Sequence, residues 1–322
     1  MRGSPFKKIV IILVVFVGIG LLLKMSADFF GPSEIQVSSK NTILHLDLNG
    51  VILNGKKFLK NLEKYKDDNR VKAIVINVNS PGGAVGPSQE IYHEIKRVRD
   101  ELKKPVICVT TGVMASGGYY AALACDKIVA APGAMVGSIG VIMEFINLEK
   151  LYDWGKVSRY TIKSGKFKDS GAEYRPMRED ERELFQTMID EVYTQFSEAV
   201  KAERKLSADV VKEYADGRVF TGATAVKLGF ADQVGFFNDA VKLAAKEANL
   251  GDNFDVFEIP KKRMSIFDIG GSDREDDLNS LVEYADKIKG QFSGLGAEAI
   301  VKQLLRTQYL NQPLYLAPGH WE

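Results

Sequence analysis

The segment best suited to covalent chemistry is Gly112-Val-Met-Ala-Ser-Gly-Gly-Tyr-Tyr120, a serine set among glycines and small residues. An apolar strand is expected before Ser116, over Pro105–Thr111, and an apolar helix from about Ser116 through Ala124. Such a junction places a hydroxyl beside the first free backbone N–H groups of a helix, where developing negative charge is stabilised. Acyl transfer needs that pairing of a nucleophile with oxyanion donors. Gly82-Gly83 follows another apolar run and presents bare N–H groups of the same kind, although a Pro-Gly-Gly sequence alone also makes an ordinary turn.

A serine nucleophile needs a base. The chain has three histidines. His45 alternates with Leu44 and Leu46 in an expected strand, His93 lies on a charged helix, and His320 stands two residues from the end. Of these, His320 is hardest to dismiss, since a tail can fold back. A lysine is the other natural base, and Thr161-Ile-Lys-Ser-Gly-Lys-Phe-Lys-Asp-Ser170 supplies Lys163, Lys166 and Lys168. A lysine accepts a proton only when neutral, against a reference pKa of about 10.4. Burial of the amine provides the required lowering.

Five segments in order carry a resemblance: Asn79-Ser-Pro-Gly-Gly83, Ser116-Gly-Gly-Tyr-Tyr120, Gly137-Ser-Ile-Gly-Val141, Ser164-Gly-Lys-Phe-Lys-Asp169 and Gly217-Arg-Val-Phe-Thr-Gly222. Leu228-Gly-Phe-Ala-Asp232 follows the last of them, and Pro313-Leu-Tyr-Leu-Ala-Pro318 near the end also fits. Over about residues 41–260 the chain resembles the signal peptide peptidase family of the SppA type, in its half-length form.

The resemblance implies Ser116 as nucleophile, Lys168 as general base, Ser138 as the residue that orients the lysine amine, and the Gly83 and Gly117 N–H groups as an oxyanion hole. It implies a serine endopeptidase that cleaves remnant signal peptides and other extended, apolar peptides through an acyl-enzyme, with no cofactor. It also implies a homo-oligomeric ring in which Ser116 and Lys168 pair across neighbouring subunits. Three other readings compete: a membrane protease acting on a stomatin-like partner, an acyl-CoA enzyme of the crotonase branch, and a membrane scaffold without catalysis.

These residues need elements to hold them. Val71–Val78 is a β-branched run, Phe58–Tyr65 reads as a helix, and Lys127–Ala130 as a short strand. A helix beginning near Pro87-Ser88 carries Ile91, Ile95, Val98 and Leu102 on one face. Glu179–Leu206 is the longest helical pattern, with Phe185, Met188, Ile189, Val192, Phe196, Ala199 and Val200 on a face that suits either a core or a neighbouring subunit. Strands alternating with helices indicate an α/β fold with a buried, largely parallel sheet. The resemblance narrows this to a ClpP/crotonase-like core of repeated ββα units, to which the chain's own pattern adds helical extensions and one N-terminal transmembrane helix.

Ile9–Leu23 is an unbroken apolar and glycine run after Arg2, Lys7 and Lys8. It is short against the ~20 residues that span a bilayer, but Lys24 can snorkel and Met25–Phe30 can extend it. No cleavage site with small residues at −3 and −1 is evident, so an uncleaved anchor is expected. The basic flank places the N-terminus inside and the catalytic body on the outer face of the cytoplasmic membrane. The expected organisation is residues 1–8 cytoplasmic, 9–30 anchor, 31–40 linker, 41–260 peptidase domain and 261–322 a C-terminal extension at an interface or over the active site. Lys and Arg total 43 against 42 Asp and Glu, which gives no electrostatic reason for a nucleic-acid partner. The two cysteines, Cys108 and Cys125, show no metal-binding spacing and are expected as buried free thiols.

Overall fold

The computed structural model describes residues 39–259 and 313–316. The expected anchor at 9–30, and all of the C-terminal extension except residues 313–316, lie outside the described residues. Among the described residues no helix is long and apolar enough to cross a membrane.

The described chain runs β1 (Thr42–Asn49), α1 (Lys56–Tyr65), β2 (Val71–Asn79), β3 (Gly82–Ala84), α2 (Val85–Asp100), β4 (Val106–Thr110), β5 (Val113–Ala115) and α3 (Gly117–Ala122). It continues with β6 (Lys127–Ala130), β7 (Met135–Gly137), α4 (Glu149–Trp154), α5 (Glu179–Arg204), α6 (Ala208–Tyr214) and β8 (Val219–Thr221). The remaining elements are α7 (Gly222–Leu228), β9 (Gln233–Val234), α8 (Phe237–Glu247), β10 (Asp255–Glu258) and β11 (Leu314–Leu316).

Six strands form one sheet in the order β10-β1-β2-β4-β6-β9, every pair parallel. Its central strands are buried on both faces, which is why they read as continuous Val/Ile runs rather than alternating ones. One face packs Ile43, Val75, Ile107 and Val129 against Ala240, Val241, Ala244 and Ala245 of α8. The alanines let α8 approach the sheet closely.

The ββα rhythm has a structural meaning here. The first strand of each pair (β2, β4, β6) enters the six-stranded sheet, and the second (β3, β5, β7) turns out of it. These short second strands build a separate layer. β5 pairs parallel with β7, β7 pairs antiparallel with β8, and β3 pairs antiparallel with β11. Isolated bridges Ile52–Gly83 and Ser80–Met114 tie the layer together.

Several expectations are corrected. α3 is shorter than the Ser116–Ala124 span, because the chain tightens into turns after Ala122. α2 starts at Val85 and ends before Leu102, which is exposed, while Ile91, Ile95 and Val98 are buried as expected. The α5 face is covered unevenly: Phe196 and Val200 are buried, Phe185, Ile189, Val192 and Ala199 are half-buried, and Met188 is exposed. Cys108 and Cys125 are paired as a disulfide rather than held as free thiols. The parallel sheet and the helix that follows bring their Cα atoms to 6.0 Å, a proximity that their sequence spacing does not reveal.

Candidate active site

Ser116 sits at the junction of β5 and α3 and is fully buried. Its backbone is unusual for a residue with a Cβ, with φ 50° and ψ −117°. This conformation costs roughly 1–2 kcal/mol and persists because its neighbours fix it. Ser116 N donates to Gly137 O at 2.7 Å, and Tyr120 N donates to Ser116 O at 2.8 Å. Just upstream, Ala115 N donates to Ser80 O at 3.1 Å. Behind the site, the Tyr119 hydroxyl donates to Phe230 O at 2.7 Å and locks α3 to the core. Amid these bonds, Ser116 Oγ is buried without a hydrogen-bond partner among the described residues. A buried unpaired hydroxyl costs free energy and calls for an explanation.

The glycines around it leave no room for side chains. A methyl group on Gly82 would overlap Tyr315 O and fall 2.6 Å from Gly117 N. One on Gly117 would fall 3.2 Å from Gly83 N and from Tyr315 Cβ. One on Gly83 would overlap the backbone oxygen of Ile52. Gly82 also adopts φ 102°, a left-handed conformation that glycine takes freely. Ser80 Oγ accepts from Gly82 N at 3.1 Å, so Ser80 acts as a turn residue. Buried Ser88 on α2 donates to Ala84 O at 2.9 Å and backs the Gly117 turn. The backbone N–H groups of Gly83 and Gly117 therefore converge beside Ser116.

Ser138 follows β7 and stands next in register to Ser116, since Ala115 pairs with Gly137. It too has positive φ, 52°, and is buried. Ser138 N donates to Arg218 O at 2.8 Å, so the Gly217–Gly222 motif supports Ser138 by laying β8 along β7.

Lys168 is not brought to Ser116 within the chain. It lies in a turn between α4 and α5 with its side chain exposed. Among the described residues no histidine is hydrogen-bonded to Ser116, and His93 on α2 packs its ring edge-on to Tyr92. His45 Nε2 lies 3.4 Å from Asp47 Oδ1 and its ring packs on Phe237, while His320 is outside the described residues. The structure thus assembles Ser116, Gly117, Gly83 and Ser138, and leaves Lys168 apart.

The Pro313–Pro318 motif, expected at an interface or over the active site, supplies one further participant: Tyr315, whose part the sequence did not single out. β11 lies antiparallel on β3, with Tyr315 opposite Gly83 and Leu316 opposite Gly82. The Tyr315 side chain is fully buried, stacked on Tyr120 at 5.2 Å and packed on Phe196 at 4.7 Å. Its hydroxyl donates to Val192 O on α5 at 3.3 Å. An extended segment thus occupies the groove beside Ser116 and sets its tyrosine carbonyl against the two glycine turns. The apolar–aromatic–apolar pattern of Leu314-Tyr315-Leu316 is the signal that marks it as a strand.

The Peptidase family S49 model matches residues 99–251, and the Clp protease model matches residues 55–136, the stretch that contains the first ββα units. A protein of Synechocystis sp. named as a protease is 38% identical over 231 residues, covering 70% of this chain and 82% of the relative. One of Methanocaldococcus jannaschii, likewise named as a protease, is 34% identical over 254 residues, covering 75% and 81%. One of Enterococcus faecium, named as signal peptide peptidase SppA, is 34% identical over 243 residues, covering 70% of each chain.

Proposed function

This chain belongs to peptidase family S49, the SppA group of serine proteases, and from that premise we propose that it cleaves extended, apolar peptides by a Ser/Lys acyl-enzyme mechanism. Remnant signal peptides are the proposed physiological substrates, in line with the name carried by the Enterococcus faecium relative.

One observation carries the reading. A strand of the chain's own lies on β3 with its Tyr315 carbonyl against Gly82 and Gly117, beside a serine hydroxyl that is buried and unpaired. A substrate lying the same way would gain main-chain hydrogen bonds from β3 and present a carbonyl carbon to Ser116. A folded protein cannot offer a free strand to so tight a groove.

In the proposed reaction, neutral Lys168 of a neighbouring subunit takes the Ser116 proton as Oγ attacks the peptide carbonyl. The N–H groups of Gly83 and Gly117 stabilise the oxyanion. Lys168 then gives the proton to the leaving amine, and water hydrolyses the ester by the reverse transfers. Ser138, next in register to Ser116, orients the lysine amine. An unpaired Ser116 hydroxyl in the single subunit is what this arrangement requires, because its partner arrives on assembly.

The segment around Lys168 supports that assembly. Trp154, Tyr160 and Ile162 are 84%, 89% and 103% exposed, a concentration of apolar surface suited to a second copy of this chain. The proposed setting is the outer face of the cytoplasmic membrane, with residues 9–30 as the anchor.

The test is cleavage of a synthetic signal peptide by the assembled wild type and by Ser116→Ala. Loss of cleavage with assembly intact is expected. Equal cleavage by both would remove Ser116 as nucleophile and the mechanism with it.

A further inference from the structure

The segment that presents Lys168 has no regular structure of its own: residues 155–178, between α4 and α5, form neither helix nor strand. Charge holds it instead. Glu181, in the first turn of α5, has a fully buried side chain. Its carboxylate receives both prongs of Arg175, Nη1 to Oε2 at 2.9 Å and Nη2 to Oε1 at 2.6 Å. Arg178 adds its backbone N–H at 2.9 Å and its Nη2 at 2.8 Å.

The same arginines reach back across the segment. Arg175 Nη2 donates to Asp169 O at 3.0 Å and lies 3.1 Å from Asp169 Oδ1, and Arg178 Nη1 lies 3.7 Å from that oxygen. Lys163 pairs with the same carboxylate. Asp169 is the residue after Lys168. The lysine backbone is therefore fastened, through its immediate neighbour, to a buried carboxylate on the long helix.

Burying a carboxylate is expensive unless it is fully paired, and removing one partner of such a group is strongly destabilising. An exposed loop with no other duty is held well enough by ordinary surface pairs of little energetic value. The Arg175 bond holds the Glu181 carboxyl at about 2, and the Lys163 bond holds that of Asp169 at about 2, so the knot stays ionised at any working pH.

We propose that Glu181 is a positioning residue: through Arg175 and Arg178 it fixes Asp169, and so the backbone from which Lys168 reaches the reacting serine. The inference rests on the reading of Lys168 as the general base.

The experiment compares Glu181→Gln in the full-length oligomer with Lys168→Ala and Arg175→Lys. For Glu181→Gln, kcat on an apolar peptide should fall about tenfold or more with KM changed by less than about twofold, because the lost interaction orients a reacting group and binds no substrate. The acid limb of kcat/KM should move to higher pH, since in the assembled site a misplaced amine would be less shielded from water, which favours its charged form. Arg175→Lys keeps the charge but loses the planar fork. It should shift both readouts in the same direction, and it serves if Glu181→Gln does not assemble. A wild-type kcat and acid limb in an assembled variant, with Lys168→Ala inactive, would overturn the positioning role alone. An active Lys168→Ala would remove the base, and the positioning role with it.

Discussion

At the scale of single residues, the site is made of backbone geometry that side chains ordinarily avoid. Ser116 and Ser138 both take positive φ, 50° and 52°, and both are buried. Strain of this kind collects where it aims a group. Ser116→Gly should therefore abolish cleavage and at the same time stabilise the fold by about 1 kcal/mol, raising Tm by roughly 2–4 °C in a domain of this size. Calorimetry checks this; a Tm at or below wild type would show that the serine conformation carries no strain. Gly83→Ala tests the opposite constraint, because its methyl would run into Ile52 backbone atoms that cannot swing away. Displacing one oxyanion donor should lower kcat about 10²-fold or more. A near-wild-type kcat in a folded Gly83→Ala oligomer would exclude the Gly83 N–H from the oxyanion hole.

At the scale of elements, β3 with β11 and α5 with its preceding segment decide how the site is used. β11 lies where the proposed substrate strand would lie, and its hold is the Tyr315 side chain among Tyr120 and Phe196. Tyr315→Asp would place an unpaired carboxylate in that aromatic cage, which is unfavourable. The strand should leave, and KM for an added peptide should fall at least about threefold as its internal competitor is lost. An unchanged KM would mean that β11 and substrate occupy different places. For α5, the buried Glu181 carboxyl titrates at about 2 when folded, against about 4.3 for a free side chain. A lowered folded value contributes stability that is complete above roughly pH 4.3 and fades as pH falls toward 2. Melts between pH 5 and pH 2.5 should lose Tm more steeply in wild type than in Glu181→Gln. Parallel slopes would show that Glu181 takes no part in acid unfolding.

At the scale of the whole molecule, the residues proposed for catalysis are divided in space. Ser116, Gly83, Gly117 and Ser138 converge on one buried spot, whereas Lys168 stands on an exposed segment among apolar side chains. If neighbouring subunits complete each site, two inactive variants can rescue one another. Random co-assembly of equal amounts of Ser116→Ala and Lys168→Ala subunits should restore about a quarter of wild-type activity, since a working site needs one intact contributor of each kind. Mixing after denaturation and refolding together, followed by a peptide assay, provides the measurement. No recovery in mixed assemblies would place serine and lysine in the same subunit.

The sequence by itself determined the parts whose signals are local. The Val/Ile runs of β2 and β4, the stripe Ile91, Ile95 and Val98, and the glycine turns at Gly82-Gly83 and Ser116-Gly117 are written in short-range pattern and composition, because strand and helix periods and backbone permissiveness act over a few residues. The turns at Gly83, Ser116 and Gly117 were legible for the same reason, whereas Ser138 and the catalytic roles given to all four residues came only from the order of motifs that resembles the family. Tertiary structure decided what depends on distant partners. The pairing of Cys108 with Cys125, the seat of Tyr315 on β3, and the fastening of Asp169 to Glu181 join residues whose spacing carries no hint of contact. Tertiary structure also decided how unevenly the α5 face is covered, since its periodicity fits a core or a partner equally. Periodicity states that a face will be buried; only the packing of the other elements states which part of it has already been covered.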